Sequence, residues 1–266
     1  MSKQTIPAGY KQTEIGVIPE DWNVKKIGEF TDCTAGGTPS TSISSYWGGN
    51  NPWMSSGELH LKRVFDVSER ITNEGLSNSS TKYVPSESVL MGLAGQGKTR
   101  GTVAISKIDL CTNQSIAAIF PSSKHSTEYL FYNLDYRYEE LRSLSTGDGG
   151  RGGLNLKIIR SLSLPYPSLE EQTTIANALS DVDGLLAELE KLIVKKQAIK
   201  TATMQQLLTG KTRLPQFAHH PDGTKKAQKQ TELGPIPEDW KVKTVYELAE
   251  NQKPQFDDGD WIVVVK

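Results

Sequence analysis

SLEEQTTIANALSDVDGLLAELEKLIVKKQAIKTATMQQLLTG, residues 168–210, lies in the longest proline-free part of this chain, and its apolar residues recur at helical spacing. Ile175, Leu179, Val182, Leu186, Leu189 and Ile193 step alternately by four and three residues. That is the a/d rhythm of a helix seam that wants a partner helix. Ser168 with Glu171 three positions on reads as a capping box, and Pro167 blocks extension backwards. Ser180 and Asp183 read as a second cap with Gly184 weakening the middle, which predicts a short helix over 169–179 and a long one over 181–209. The long one would span about 43 Å at 1.5 Å per residue. Gly210 suits the end of that helix, with Pro215 beyond it.

The segments before and after this stretch are related. TEIGVIPEDWNVKKIGEF (residues 13–30) returns as TELGPIPEDWKVKTVYEL (residues 231–248), an offset of 218 residues from Thr13 to Thr231. A repeat this long is the period of a whole module, not of a solenoid. The predicted organisation is therefore a polar tail over 1–12, a globular domain over 13–167, the helical region over 168–210, a polar linker over 211–230, and the start of a second module over 231–266. The Pro-Glu-Asp-Trp core of the repeat reads as a turn into a strand, with Trp22 an apolar anchor.

Within the domain, SVLMGLAG (88–95), TVAIS (102–106) and QSIAAIF (114–120) read as strands between turn signals. Residues 128–144 read as one amphipathic helix, residues 145–155 as a glycine loop, and KIIRSLSLPYP (157–167) as a returning strand. The fold class is α+β, a mixed domain with long polar loops, followed by a long projecting helix that forms an antiparallel coiled coil. Loops of this kind usually carry binding residues.

Composition narrows the function. The chain has 266 residues with 30 basic and 31 acidic side chains, a net charge of −1, so any phosphate-binding surface is local. Cys33 and Cys111 are isolated and read as reduced structural thiols, without zinc spacing. The start MSKQT is not a signal peptide, and no apolar run suits a bilayer span, so a soluble cytoplasmic protein is expected. His219 and His220 read as a solvated pair.

GLAGQGKT (residues 92–99) satisfies the Walker A pattern, but a P-loop needs a helix straight after it, and Arg100-Gly101-Thr102-Val103 reads as a strand. Nucleotide binding is the weakest of the readings considered. Asn51-Pro52-Trp53 lacks the second proline of an amino-methyltransferase site. Asp239-Trp240-Lys241 offers the end of a nuclease pattern, which its repeat partner Asp21-Trp22-Asn23 does not keep. No catalytic residue is predicted.

Several segments in order resemble the DNA-specificity (S) subunits of type I restriction-modification systems. They are the TEIGVIPEDW opening, Gly36-Gly37-Thr38-Pro39-Ser40 with Tyr46-Trp47 and Pro52-Trp53, the GQGKTRG loop (95–101), Thr112-Asn113-Gln114, LEEQ with Ile175-Ala176, and MQQLLTG (204–210). The resemblance implies target-recognition domains joined by antiparallel helices, each domain reading half of a split DNA site. It also implies a subunit without chemistry of its own, which docks methyltransferase (M) and restriction/translocase (R) subunits. S-adenosylmethionine, ATP and Mg would then sit on those partners, and no cofactor or metal on this chain. A single domain with a single seam helix resembles a half-subunit, so a homodimer on a symmetric split site is expected, paired through Leu179, Val182, Leu186, Leu189 and Ile193. The rival expectation is an adaptor whose helix pairs with a full-length S subunit.

For contact with bases or phosphates the candidates are Thr38, Ser40, Tyr46, Lys98, Thr99, Arg100, Asn113, Gln114, Arg151 and Lys157. Asn and Gln suit adenine, and Arg or Lys suit guanine and phosphate. Trp47 and Trp53 read as core. Lys191, Lys195, Lys196 and Lys200 form a basic helix face, which as an isolated charge run is ordinarily just solvated.

Overall fold

A computed structural model describes residues 6–95, 98–144 and 153–250. The chain divides into two units, residues 1–183 and 184–266. The first begins with a hairpin, β1 (Tyr10–Thr13) against β2 (Gly16–Pro19), then β3 (Asn23–Lys26) and the single-turn helix α1 (Ile27–Phe30). Strands β4 (Cys33–Ala35), β5 (Trp47–Met54), β6 (Arg63–Val64) and β7 (Glu69–Ile71) follow, then α2 (Asn73–Ser77) and β8 (Tyr83–Val84). After them come β9 (Val89–Gly92), β10 (Val103–Ser106), β11 (Leu110–Thr112) and β12 (Ile116–Ile119). Helices α3 (Thr127–Tyr136), α4 (Tyr138–Ser143) and α5 (Leu156–Ser161), then β13 (Ser163–Tyr166), complete the domain.

Two sheets form its centre. One has the order β4-β12-β9-β10-β6 and the other β7-β5-β11-β8. Strands β9, β10 and β12 are buried along their whole lengths, which is why they read as continuous apolar runs. Because side chains alternate, Leu90, Ala104, Ile116 and Ala118 face the second sheet with Met54, Val84 and Leu110. Val89, Met91, Val103, Ile105 and Ile119 face the opposite way, onto Leu130, Phe131 and Leu134 of α3, Leu141 of α4 and Ile159 of α5. The outer side of the second sheet carries a smaller cluster of Trp53, Ile71 and Cys111. Cys33 and Cys111 are buried free thiols, and burial pushes Cys111 up to about 11, so both remain protonated.

In the domain and the helix that follows it, four local expectations are corrected. Tyr10–Gln12 belong to β1 and are not a tail, because their ladder with Val17–Pro19 starts ahead of the repeated segment read from the sequence. The helix over 128–144 is two helices meeting at Arg137, whose guanidinium donates to the Ser163 carbonyl at 2.8 Å and to both Glu140 oxygens. The strand over 157–167 starts as a helix, because the Asn155 side chain accepts from the Ile158 amide at 2.9 Å and caps α5.

The fourth correction concerns the long helix. It is one unbroken element, α6 (Leu169–Leu208), 40 residues and about 60 Å long. Ser168 Oγ accepts from the Glu171 amide at 3.2 Å, as a cap should. Ser180 and Asp183 do not cap a second helix; the Tyr132 hydroxyl of α3 takes their side chains at 3.2 and 2.7 Å. The opening turns are fastened to the domain as expected. Gln172 is fully buried, its carbonyl accepting from Ser126 and its amide donating to Pro167, and Ala176 is buried beside it.

In the second unit, Gly210 ends α6 with φ +71°, a left-handed conformation, and its amide donates to Leu207. Residues 211–230 are folded, which corrects the linker reading. They contain a 3-10 turn (Pro215–Phe217), a bridge between His219 and Lys225, and most of β14 (Gln228–Thr231). His220 is not simply solvated, since its Nε2 lies 2.8 Å from Glu238. β14 pairs with β15 (Gly234–Pro237), and α7 (Val245–Glu250) follows. No described helix is long and apolar enough to cross a membrane.

Candidate nucleic-acid interface

The strand registers bring three loops to one end of the two sheets. β4 leaves toward residues 36–40, β9 toward the loop over 93–102, and β12 is entered from the turn over 113–115, with Ala35 opposite Ala117 and Gly92 opposite Ile116. β5 and β11 run parallel and finish together, Met54 opposite Thr112. Thr38, Ser40, Lys98, Thr99, Arg100, Asn113 and Gln114 therefore come from separate segments to a common end.

Glycine is required in the first loop by space. A Cβ on Gly36 would lie 2.1 Å from the Thr112 carbonyl oxygen, and one on Gly37 would lie 2.4 Å from Ser80 Oγ. The backbone passes through this gap, with the Gly37 amide donating to the Thr112 carbonyl at 2.8 Å. Two indoles then hold the loop: Trp53 Nε1 donates to the Gly37 carbonyl at 3.0 Å and Trp47 Nε1 to the Ser40 carbonyl at 3.2 Å. The rings meet edge to face at 5.0 Å, which makes them packing groups, as their reading as core implies.

The side chains on this frame differ in how free they are. Thr38 Oγ1 donates to Gln114 Oε1 at 2.5 Å, so Gln114 is held by its oxygen. Its amide nitrogen has no partner among the described residues. Asn113 is committed to the turn, its oxygen accepting from the Ser115 amide at 3.1 Å. Ser40 exchanges a hydrogen bond with Ser42 at 2.8 Å. Asn113 and Ser40 therefore shape the surface more than they present donors.

The second loop is anchored through its backbone. The Lys98 carbonyl accepts from Thr102 Oγ1 at 2.5 Å and from the Tyr138 hydroxyl at 3.1 Å. A Cβ on Gly92 would lie 2.1 Å from the Thr99 carbonyl oxygen, and Gly95, at φ +120°, lies under the Thr99 side chain. The Lys98 ammonium is exposed and makes no ion pair among the described residues. After Thr99 the chain turns at Arg100-Gly101 and enters β10, so a strand follows the Walker-like motif.

Tyr46, half-buried, ends a 3-10 turn (Ser44–Tyr46) just before β5, and its neighbour Trp47 bonds the first loop. Lys157 is exposed on α5, but among the described residues no bond links it to the loops, and Arg160 of the same helix binds Asp32 and the Cys33 carbonyl. Arg151 lies outside the described residues. No group of three or more His, Cys, Asp or Glu suited to a metal ion occurs among the described residues.

A polar group that sequence reasoning did not count among the contact candidates stands beside this end. Asn51 donates to Asn73 Oδ1 at 3.0 Å and accepts from the Tyr83 hydroxyl at 2.5 Å. Burial raises Tyr83, which keeps it a donor. The available signal was strand alternation, which sets Asn51 on the same face as Trp53.

The second surface is α6. Leu179, Val182, Leu186, Leu189 and Ile193 are between 41 % and 56 % exposed. An apolar stripe of this length on a solvated helix marks an interaction face. The strict rhythm ends there, because Lys196 and Lys200 occupy the next two seam positions.

Residues 19–201 match the family model described as type I restriction modification DNA specificity domain. The chain is 35% identical over 189 residues to the type I restriction enzyme MjaIX specificity subunit of Methanocaldococcus jannaschii, an alignment covering 68% of this chain and 42% of that one. Among solved structures, a chain from a type I restriction-modification assembly aligns with TM-score 0.55 and 20% identity, over 71% of this chain and 45% of its own. The HsdS subunit of Thermoanaerobacter tengcongensis aligns with TM-score 0.53 and 19% identity, over 74% and 47%. These two likenesses bear on the fold, and the match in each case spans less than half of the other protein.

Proposed function

The chain belongs to the type I restriction-modification DNA specificity family, and from that membership we propose that it is a non-catalytic subunit that reads a DNA sequence for methyltransferase and restriction partners. The observation that carries this reading is the gathering of loops 36–40, 93–102 and 113–115 at one end of the sheets, with an exposed Lys98 that has no ion pair among the described residues and a Gln114 steered by Thr38. Lys98 supplies phosphate contact, which orients the protein without sequence information. Gln114, held through its oxygen, offers amide donors to a base edge.

The exposed stripe on α6 supports pairing with a second seam helix, antiparallel, with two identical domains on a symmetric split site. The part of α6 beyond Asp183 measures about 37 Å, close to one turn of DNA, the usual spacing of half-sites for dimeric readers. The same stripe also favours the second reading, an adaptor whose helix pairs with a full-length S subunit. S-adenosylmethionine and ATP would be bound by partner subunits.

The test is footprinting on a randomised DNA pool in the presence of the cognate methyltransferase. A recovered bipartite motif supports the DNA reading. Protection without any motif, with co-purification of a full-length S subunit, supports the adaptor.

A further inference from the structure

The repeat in the sequence is also a repeat of bonds. Thr13 Oγ1 donates to the Gly16 carbonyl at 2.7 Å, and Thr231 Oγ1 to the Gly234 carbonyl at 2.8 Å. Lys11 Nζ donates to the Glu20 carbonyl at 2.7 Å, as Lys229 Nζ does to that of Glu238. The Trp22 and Trp240 amides donate to the carbonyls of Pro19 and Pro237 at 3.2 and 3.0 Å. The two hairpins thus present Pro, Asp and Trp in the same local geometry.

The second hairpin has a seat of its own. At the end of α6, Arg213 donates to both carboxylate oxygens of Asp239, at 2.7 and 3.0 Å, and Lys226 donates to the same group at 2.9 Å. The Arg213 guanidinium also lies over the Trp240 ring at 5.7 Å. Gly210 is close enough to Pro237 that a Cβ there would lie 2.4 Å from its ring carbons, and Trp240 borders the same spot. Asp21, by contrast, makes no hydrogen bond or ion pair among the described residues, and Pro19 is half-buried where Pro237 is buried. Of the groups that the seated hairpin itself brings, Lys226 has Ala8 as its counterpart.

We propose that Pro19, Asp21 and Trp22 form a docking face for the α6 end of a second copy, taking Arg213 as Asp239 and Trp240 do within the chain. The occupant follows from the molecule itself: this seat already accepts the same three side chains in the same arrangement. Within one chain the seat is filled, so docking between copies proceeds by exchange, with the second hairpin displaced by the first hairpin of the partner. Tethering favours the resident hairpin, because a short loop holds it at an effective concentration in the millimolar range. At micromolar protein the exchange is therefore suppressed, and the second hairpin acts as an internal competitor. The inference concerns self-association only and stands or falls separately from DNA reading.

The test uses the full chain carrying Leu186→Ala and Leu189→Ala, so that seam pairing contributes little. In that background, Asp239→Arg repels the resident hairpin from Arg213 and Lys226. Sedimentation equilibrium at low salt is expected to show self-association tighter by about tenfold or more, and adding Asp21→Arg is expected to abolish the gain. A complementary pair guards against a simple folding defect: Arg213→Asp alone gives no gain, and Arg213→Asp with Asp21→Arg restores it. The proposal is overturned if Asp239→Arg leaves self-association unchanged, if the gain survives Asp21→Arg, or if the reciprocal pair fails to associate.

Discussion

Replacing Leu186 and Leu189 together by alanine isolates the contribution of the α6 seam. Both side chains are 54 % exposed, so about half of each remains to be covered by a partner helix. Full burial of a leucine stabilises by about 1.5–3 kcal/mol, so the unburied half is worth about 1 kcal/mol. Two residues on each of two copies bring the loss to about 4 kcal/mol of dimer, or about a thousandfold in Kd. Alanine keeps helix propensity, and neither side chain belongs to the domain core, so the fold itself is undisturbed. Sedimentation velocity across a concentration series reads the change directly. Lys191→Ala, on the opposite side of the helix, is the control and leaves Kd unchanged. An unaltered dimer in the double variant, or a monomeric parent at all concentrations, would refute the seam argument.

Other consequences are as direct. Lys98→Ala should lower DNA affinity evenly across sequences and reduce the slope of log affinity against log salt by about 0.9, measured by fluorescence anisotropy. Gln114→Ala should instead relax preference at one base pair by about 1–3 kcal/mol in a selection experiment. Gly184 faces open space on α6, so Gly184→Ala should raise helix stability by up to about 1 kcal/mol by thermal melting, with dimer affinity untouched. Buried His125, bonded to Ser122 at 2.9 Å, is pushed down from 6.5 to about 4 by desolvation. Because the unfolded chain binds this proton first, stability should be full above pH 6.5 and fall by about 3 kcal/mol as pH drops toward 4. Denaturant titrations at several pH values check this, and His125→Gln should flatten the slope.

What could be read from the sequence followed from signals that are local. Strands β9, β10 and β12 were visible because both faces of each are buried, leaving uninterrupted apolar runs. The seam of α6 was visible because its side chains stay about half exposed, so its spacing is undiluted. Errors arose where a distant side chain decided the outcome. Ser180 and Asp183 look like a cap until Tyr132 claims them, and residues 157–160 look like a strand until the Asn155 cap is seen. The candidate interface was legible as separate polar loops and not as a surface. Its assembly depends on strand order, which places residues 36–40 beside 113–115, and on Trp47 and Trp53 fixing the first loop. The bond from Thr38 to Gln114 joins positions 76 residues apart, and no local pattern announces it.

The central claim, that this end of the sheets reads DNA, is tested most directly by selecting bound sequences for the parent chain and for Gln114→Ala in parallel, each with the cognate methyltransferase. The account predicts a split motif for the parent and loss of preference at a defined position within it for the variant. An identical motif for both proteins, or no motif for the parent, would contradict it.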